Sequence, residues 1–174
     1  MLTLVVGGAA SGKSAYAEAL LLRSAAARRV YLATMEPFGP EAEARIKRHR
    51  VMRSEKGFET IECYVNIECA PVPSDASVLL EDLGNLCANE LFSPRGAGKG
   101  AADSILRGID AVYRRCRDLV IVSNEVFTGG ADYDPEIMRY LSILSYVNRK
   151  IAARADAVCE ISGGAAMYYK GAEI

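Results

Sequence analysis

The sequence lacks the features that mark several classes of protein. It has no run of about 18 or more apolar residues, so no transmembrane helix is predicted. The amino terminus enters an apolar segment at once, without the charged region of a secretory signal, so we expect a cytoplasmic protein. The 21 basic and 22 acidic side chains leave a formal charge of −1. Nucleic-acid binding would favour a basic excess, so we expect neither a nucleic-acid partner nor a membrane span.

Metal-binding and disulfide signatures are also missing. The five cysteines form no Cys-x-x-Cys pair, and the chain has a single histidine, His49. A structural zinc site takes four cysteine or histidine ligands at characteristic spacings, so such a site is not expected. Disulfides are rare in the cytosol. We therefore predict that the cysteines are buried, unreactive thiols.

The apolar residues fall into short runs that predict an α/β fold. Five runs are predicted as buried strands: Leu2–Val6, Val30–Ala33, Val78–Leu80, Leu119–Val122 and Ala157–Ile161. Segments with helical spacing lie between most of them: Lys13–Ala26, Glu41–Arg53, Ala101–Cys116 and Glu136–Arg154. This alternation indicates a mostly parallel sheet with helices on both faces. The length of 174 residues favours a single domain over residues 1–174.

The first predicted strand leads into a glycine-rich loop, GGAASGKS. The loop fits the phosphate-loop pattern G-x-x-x-x-G-K-[ST], with a strand before it and a helix after it. In such a loop the backbone N–H groups face a bound phosphate, and the N-terminus of the helix adds positive charge. We predict that Lys13 binds the outer phosphates of a nucleotide and that Ser14 binds Mg²⁺. The loop residues predicted to bind nucleotide are Gly7, Gly8, Ala9, Ala10, Ser11, Gly12, Lys13 and Ser14.

An acid at the end of a neighbouring strand usually supports the Mg²⁺ of a phosphate loop. The segment VLLED supplies two acids, Glu81 and Asp82, directly after a predicted strand. Either carboxylate could orient a metal-bound water. The alternative is that both are surface acids at the end of a strand.

The single histidine lies among cations in the segment EAEARIKRHR. On a helix, Arg45 and His49 would be neighbours one turn apart. Nearby positive charge lowers the pKa of an imidazole, and a neutral imidazole can attack phosphorus. Neighbouring arginines such as Arg50 could meanwhile hold a polyphosphate. The alternative is a solvated surface histidine on a basic helix.

Four motifs follow one another in a specific order: GGAASGKS, RIKRH, SNEV and VNRKIAARAD. Over nearly the whole chain the sequence resembles the bifunctional adenosylcobinamide kinase / adenosylcobinamide-phosphate guanylyltransferase family of cobalamin biosynthesis. The family pattern also covers Ala33-Thr34 after the second strand and Glu62 at the end of a short strand. By the register of VLLED, the resemblance selects Glu81 rather than Asp82 as the acid on the metal side.

The resemblance implies a P-loop NTPase-type, RecA-like fold and two reactions. In the first, ATP or GTP phosphorylates the hydroxyl of the aminopropanol arm of adenosylcobinamide. In the second, GTP guanylylates His49 with release of pyrophosphate, and the GMP passes to adenosylcobinamide phosphate to give adenosylcobinamide-GDP. The resemblance further implies a homotrimer and Mg²⁺ on Ser14 and Glu81. Beyond the loop, the implied nucleotide-binding residues are Ala33, Thr34, Arg45, Arg50, Glu62 and Glu81.

The chain also departs from the family pattern. Ala10 occupies the position of a loop arginine, and the segment Phe127–Tyr146 lacks most of the arginines that follow the NEV motif in the family. Two other functions are therefore alternatives for this sequence. One is a P-loop kinase or ATPase that acts on another small substrate without a guanylyl step. The other is a non-catalytic, nucleotide-binding regulator.

Overall fold

The strands that the structure describes form one seven-stranded sheet. The computed structural model describes residues 1–37, 47, 51, 55–126 and 133–172. In chain order the strands are β1 (Leu2–Gly7), β2 (Arg29–Ala33), β3 (Phe58–Glu62), β4 (Ser77–Glu81), β5 (Asp118–Asn124), β6 (Ala157–Ser162) and β7 (Ala165–Lys170). Their order in the sheet is β3-β2-β4-β5-β1-β6-β7. All pairs are parallel except β6–β7, which is antiparallel.

Among the residues that the structure describes, the helices with defined bounds are α1 (Lys13–Leu22), α2 (Leu83–Phe92), α3 (Ala101–Arg115) and α4 (Pro135–Arg154), which cover the sheet. Short 3₁₀ helices span Ile67–Cys69 and Gly98–Gly100. The predicted helix Glu41–Arg53 lies largely outside the described residues. Two of its residues, Lys47 and Val51, are described, and both are helical. Within the part of the chain that the structure describes, no helix is both long and apolar enough to cross a membrane.

The core has two layers because successive strand residues point to opposite faces of the sheet. On one face, strand residues such as Leu4 and Leu80 pack against α2, α3 and α4 in a single buried cluster. On the other face, Val5 and Val122 belong to a second cluster that contains Leu21 of α1. The predicted α/β fold, with helices on both faces of a mostly parallel sheet, is confirmed.

The structure adds elements that the apolar runs do not reveal. All five predicted strands are present, but β3, β7 and α2 were not predicted from hydrophobic pattern. The expectation of buried thiols holds for Cys87 and Cys159 and is wrong for Cys69, which is exposed. Cys69 ends a 3₁₀ helix on the surface, where only the first residue, Ile67, is buried.

The carboxyl edge of the sheet gathers the polar ends of several strands. Ala33, the last residue of β2, is in register with Glu62 on one side and Glu81 on the other. Gly7 at the end of β1 is in register with Asn124 at the end of β5. In open parallel sheets, ligands bind outside the carboxyl ends of the strands. The fold therefore brings the predicted site residues from four strands to the edge where a ligand is expected.

Candidate nucleotide-binding site

The loop between β1 and α1 has a tight backbone that depends on its small residues. A β-carbon added at Gly7 would lie 2.6 Å from the Ser11 Oγ and 2.7 Å from the Ile161 carbonyl oxygen. Gly12 has a φ of 92° and directly precedes α1, while Ala10 has a φ of 55°. Glycine adopts such left-handed angles at no steric cost, whereas Ala10 adopts them at some cost.

Polar groups of the loop converge on the space where a phosphate would bind. The Lys13 ammonium donates a hydrogen bond to the Gly8 carbonyl at 3.0 Å, so this side chain folds back across the loop. The Ser11 hydroxyl oxygen is buried and has no hydrogen-bond partner among the described residues. The loop thus presents a cation, a hydroxyl and the amino end of α1 in one place, which suits an anionic ligand.

The two candidate acids at the end of β4 have different environments. The Ser14 hydroxyl donates a hydrogen bond to the Glu81 carboxylate. Asp82 instead caps α2, because its carboxylate accepts hydrogen bonds from the Asn85 backbone N–H at 2.7 Å and from the Asn85 side chain at 3.0 Å. Glu81 therefore faces the phosphate loop, whereas the Asp82 carboxylate serves the start of a helix.

Burial raises the pKa of the Asp82 carboxyl, and two kinds of interaction oppose this effect. Hydrogen bonds from Asn85, Asn124 and Gly84, together with the positive charge of Lys13, favour the ionised form. The influence of Lys13 also shows that Asp82 lies in the electrostatic field of the phosphate loop. Asp82 is thus close to the site although its carboxylate is used as a helix cap.

The end of β2 is fixed by its neighbours on both sides. Thr34 is fully buried, its N–H donates to the Glu81 carbonyl at 3.1 Å, and its hydroxyl donates to the Asp82 carbonyl at 2.7 Å. The Asn89 side chain donates to the Thr34 carbonyl at 2.8 Å and to the Tyr64 carbonyl at 3.0 Å. Asn89 on α2 therefore holds together the segments that follow β2 and β3.

Glu62 ends β3 at the outer part of the same edge. Its side chain is exposed and accepts a hydrogen bond from the Tyr64 hydroxyl at 3.1 Å. Ala33 lies between Glu62 and Glu81 in the sheet register. Ala33, Thr34, Glu62 and Glu81 are thus brought together along the edge, with Glu81 nearest to the phosphate loop through its contact with Ser14.

A second glycine turn supports the phosphate loop. The Gly164 N–H donates to the Ser11 carbonyl at 3.0 Å, and the Gly164 α-carbon would lie 3.6 Å from a β-carbon on Gly12. Gly163 and Gly164 connect β6 to β7 with φ angles of 56° and 82°. A Gly-Gly pair between two strands is a known signal for a tight hairpin, so the turn was detectable in the sequence although its contact with the phosphate loop was not.

Three predicted site residues cannot be located in this site. Arg45, His49 and Arg50 lie outside the described residues. The site described here is therefore the phosphate loop, the Ser14–Glu81 pair and the ends of β2 and β3. Within the described ranges, no group of three or more histidine, cysteine or acidic residues is arranged to hold a metal ion.

Comparisons with known proteins agree with this geometry. Residues 3–168 match the family described as cobinamide kinase / cobinamide phosphate guanyltransferase. The chain belongs to this family. It is 32% identical to the bifunctional adenosylcobalamin biosynthesis protein CobU of Salmonella typhimurium over 178 aligned positions, which cover 94% of this chain and 97% of the relative. The protein of the same name from Escherichia coli strain K12 is also 32% identical, with the same coverage.

Solved structures with much lower sequence identity share the fold. A Pyrococcus horikoshii protein described as Project ID PH0250 has a TM-score of 0.56 at 11% identity, covering 98% of this chain and 86% of that one. The KaiC-like protein PH0186 from the same organism has a TM-score of 0.51 at 9% identity, covering 99% and 79%. At such identities the likeness concerns the fold alone. Together with the phosphate loop, it confirms the P-loop NTPase-type fold.

Proposed function

We propose that this protein phosphorylates cobinamide with a nucleoside triphosphate and then transfers GMP from GTP to the cobinamide phosphate. The observation that carries the proposal is the Ser14–Glu81 hydrogen bond beside a complete phosphate loop. A hydroxyl and a carboxylate beside this loop suit a Mg²⁺–nucleotide complex, which both phosphoryl and nucleotidyl transfer use. Membership of the kinase and guanyltransferase family supports both activities.

The first reaction is a phosphoryl transfer. The hydroxyl oxygen of the aminopropanol arm forms a bond to the γ-phosphorus, while the bond from that phosphorus to the bridging oxygen breaks. A nucleoside diphosphate leaves, and the hydroxyl proton passes to water. Lys13 exchanges its contact with the Gly8 carbonyl for the outer phosphate oxygens, where it offsets the negative charge of the transition state.

Ser14 and Glu81 are the residues that would hold Mg²⁺. A hydroxyl and a carboxylate are hard oxygen ligands, and Mg²⁺ bound to a nucleotide takes one or two protein ligands and keeps several waters. The contact between the two side chains brings such a pair to the amino end of α1, so the described residues fit the ion. When bound, the ion would neutralise charge on the phosphate oxygens.

The second reaction is a nucleotidyl transfer with His49 as the proposed nucleophile. An imidazole nitrogen forms a bond to the α-phosphorus of GTP, and the bond to the pyrophosphate oxygen breaks. A phosphate oxygen of cobinamide phosphate then attacks the same phosphorus and releases the imidazole, which gives cobinamide-GDP. The sequence supports this role because His49 is the only histidine and lies in the RIKRH motif.

Incubation with labelled GTP tests the proposal. With cobinamide present, label from the γ-phosphate should appear in cobinamide phosphate and label from the α-phosphate in cobinamide-GDP. Mass spectrometry of the protein with GTP and Mg²⁺ should detect a GMP adduct on His49. Turnover of the γ-phosphate without an adduct would instead indicate a kinase alone, and binding without either reaction would indicate a regulator.

Two variants separate the reactions. Lys13→Ala should reduce both by about 10²–10³-fold, which is the usual effect of removing one preorganised donor to a transition-state charge. His49→Ala should abolish the adduct and the guanylyl transfer but retain the kinase reaction. Guanylyl transfer at the normal rate by His49→Ala would reject the histidine as nucleophile.

Four further expectations stay predictions. They are adenosylcobinamide as the form of cobinamide accepted, a single domain over residues 1–174, a homotrimer and a cytoplasmic location. The resemblance and the sequence support them. Sedimentation at several protein concentrations tests the trimer, and comparison of adenosylcobinamide with cobinamide in the kinase assay tests the substrate form.

A further inference from the structure

A groove between α2 and the start of α4 has a composition that the nucleotide site does not explain. Its volume is about 490 Å³, and it is lined by Ala88, Phe92, Asp134, Glu136, Ile137 and Tyr140. Phe92 and Ile137 are 50% and 45% exposed, which is unusual for such large apolar side chains. The volume falls in the range of small-molecule sites, about 300–1,000 Å³. The groove thus combines an apolar wall with two carboxylates at its rim.

The inner end of the groove reaches the carboxyl edge of the sheet. Three polar side-chain atoms surround Gly84, since a β-carbon added there would lie 2.7 Å from Asn124 Nδ2, 3.0 Å from Tyr140 Oη and 3.2 Å from Asp82 Oδ1. Tyr140 therefore lines the groove and also lies close to Asp82, the residue that follows Glu81. Burial raises the pKa of Tyr140 to about 12, so its hydroxyl stays protonated and can donate a hydrogen bond at neutral pH.

We propose that this groove holds one edge of the corrin ring of the acceptor, with the aminopropanol arm directed past Tyr140 toward the phosphate loop. The inference rests on the proposed function, which makes a cobinamide the acceptor. A corrin ring carries methyl groups between the amide side chains of its periphery, and these methyl groups suit Phe92 and Ile137. Cobinamide with an alkyl ligand on cobalt is a cation, which suits the carboxylates of Asp134 and Glu136. The groove is smaller than a whole corrinoid, so it takes only one edge of the ring.

A second copy of the chain is the main alternative occupant. The charge and the position favour the corrinoid, because two carboxylates line the groove and Tyr140 connects it to Asp82 and Asn124 at the carboxyl edge of the sheet. A protein surface that filled the groove would need to place cations against Asp134 and Glu136. Sedimentation and cobinamide affinity of the variants distinguish the two occupants.

A pair of neighbouring residues on α4 provides a matched test. Ile137 lines the groove, whereas Met138 is equally exposed, at 49%, and does not line it. Cobinamide binding can be followed in the visible absorption of the corrin, independently of turnover. Ile137→Ser should raise the dissociation constant for cobinamide at least about tenfold, the usual effect of losing apolar contacts in a pocket. Met138→Ser should leave it unchanged, and neither variant should alter the KM for GTP.

Charge gives an independent readout. Glu136→Gln should weaken binding of the cationic alkylcobinamide several-fold and leave binding of the neutral dicyanocobinamide unchanged. Equal weakening of both ligands would contradict the proposed role of the carboxylate. If Ile137→Ser and Met138→Ser had equal effects, the groove would not be the corrin site. A change of sedimentation coefficient in Ile137→Ser without a change in cobinamide affinity would assign the groove to a second copy and overturn the proposal.

The outcomes also separate this inference from the proposed function. If wild-type protein phosphorylates cobinamide and the two serine variants behave alike, only the groove assignment fails. If wild-type protein binds cobinamide in a manner that depends on Ile137 but does not phosphorylate it, only the proposed function fails. If wild-type protein neither binds nor phosphorylates cobinamide, both are rejected.

Discussion

Replacing Glu90 should lower the free energy of unfolding of this protein substantially. The Glu90 side chain lies on α2 and is only 2% exposed. Its carboxylate accepts hydrogen bonds from the Asn66 N–H at 2.6 Å, the Ala97 N–H at 3.0 Å and the Ser104 hydroxyl at 3.1 Å. One side chain thus connects the loop before the 3₁₀ helix at Ile67, the loop after α2 and the first turn of α3.

The magnitude follows from the donors that would lose their acceptor. In Glu90→Ala, three hydrogen bonds to a buried carboxylate would be lost, at about 0.5–1.5 kcal/mol each, because Asn66 and Ala97 are exposed residues whose N–H groups water can reach. The expected loss is therefore about 1.5–4.5 kcal/mol out of the roughly 5–15 kcal/mol that stabilises a typical domain. Glu90→Gln keeps one acceptor oxygen but turns an NH₂ group toward a donor, so about half of this loss is expected.

Urea unfolding followed by circular dichroism at neutral pH measures the change in the free energy of unfolding. Glu68→Ala is the matched control, because Glu68 is an exposed acid nearby, and its effect should be within about 0.5 kcal/mol of zero. Amide hydrogen exchange should also accelerate at Asn66 and Ala97 in Glu90→Ala. A loss below about 0.5 kcal/mol, or unchanged exchange at both amides, would refute the reasoning.

Three more predictions concern contacts at the carboxyl and amino ends of the strands. Glu81→Gln should raise the Mg²⁺ concentration that phosphoryl transfer requires, whereas Asp82→Asn should leave it unchanged because asparagine also caps helices. The reverse result in Mg²⁺ titrations would assign the metal to Asp82. Although burial acts to raise the pKa of Asp118, its hydrogen bonds from two serine hydroxyls and the terminal amine lower it overall, so its contribution to stability is present above about pH 4 and is lost as the pH falls further. Urea unfolding of wild type and Asp118→Asn should therefore differ most near neutral pH and converge on acidification, and a constant difference would contradict this linkage. Gly7→Ala should destabilise the protein by about 1–3 kcal/mol and weaken GTP binding, because the methyl group would meet two oxygen atoms at under 3 Å. Gly8→Ala has open space at its β-carbon and should leave the free energy of unfolding unchanged. Equal unfolding free energies for the two variants would reject the steric explanation.

The parts of the fold that the sequence predicted are those with a buried, regular pattern. The strands with continuous apolar runs and the helix with Ile105, Ile109 and Val112 on one face were all predicted, and these three side chains are buried. The missed helix α2 has the sequence LGNLCANELF, in which a glycine and two asparagines lower the helix propensity. Burial of Leu83 and Leu86, together with the Asp82 cap, forms the helix despite that propensity.

The missed strands have a different cause. β3 and β7 are the two edge strands of the sheet that the structure describes. In β3, with the sequence FETIE, charged residues interrupt the apolar ones and only Phe58 is fully buried, so there is no apolar run to detect, and it was only the family resemblance that implied a strand ending at Glu62. In β7, with the sequence AAMYYK, the apolar residues do form a run, but almost all of them are exposed, so the strand is not part of the buried pattern on which the prediction relied.

The contacts of the candidate site were less predictable than its members, because they depend on elements that are distant in sequence. The motif predicted that Lys13 and Ser14 would follow a strand, but no local pattern predicts that the β6–β7 turn would support the loop through Gly164. The choice between Glu81 and Asp82 similarly depends on which way each side chain of the pair points. Glu81 is the last residue of β4, whereas Asp82 follows the strand and caps the first turn of α2, so the two adjacent acids face different partners.

The same helix that was missed connects the stability of the fold to the geometry of the site. Its cap, Asp82, directly follows Glu81, and its residue Asn89 holds the carbonyls after β2 and β3. The neighbouring Glu90 fixes the loop after the helix and the loop before the 3₁₀ helix at Ile67. Because α2 also forms one wall of the apolar groove, a shift of this helix would move the ends of β2 and β3 and the proposed acceptor surface together. A buried acid on α2 can therefore affect both substrates without touching either one.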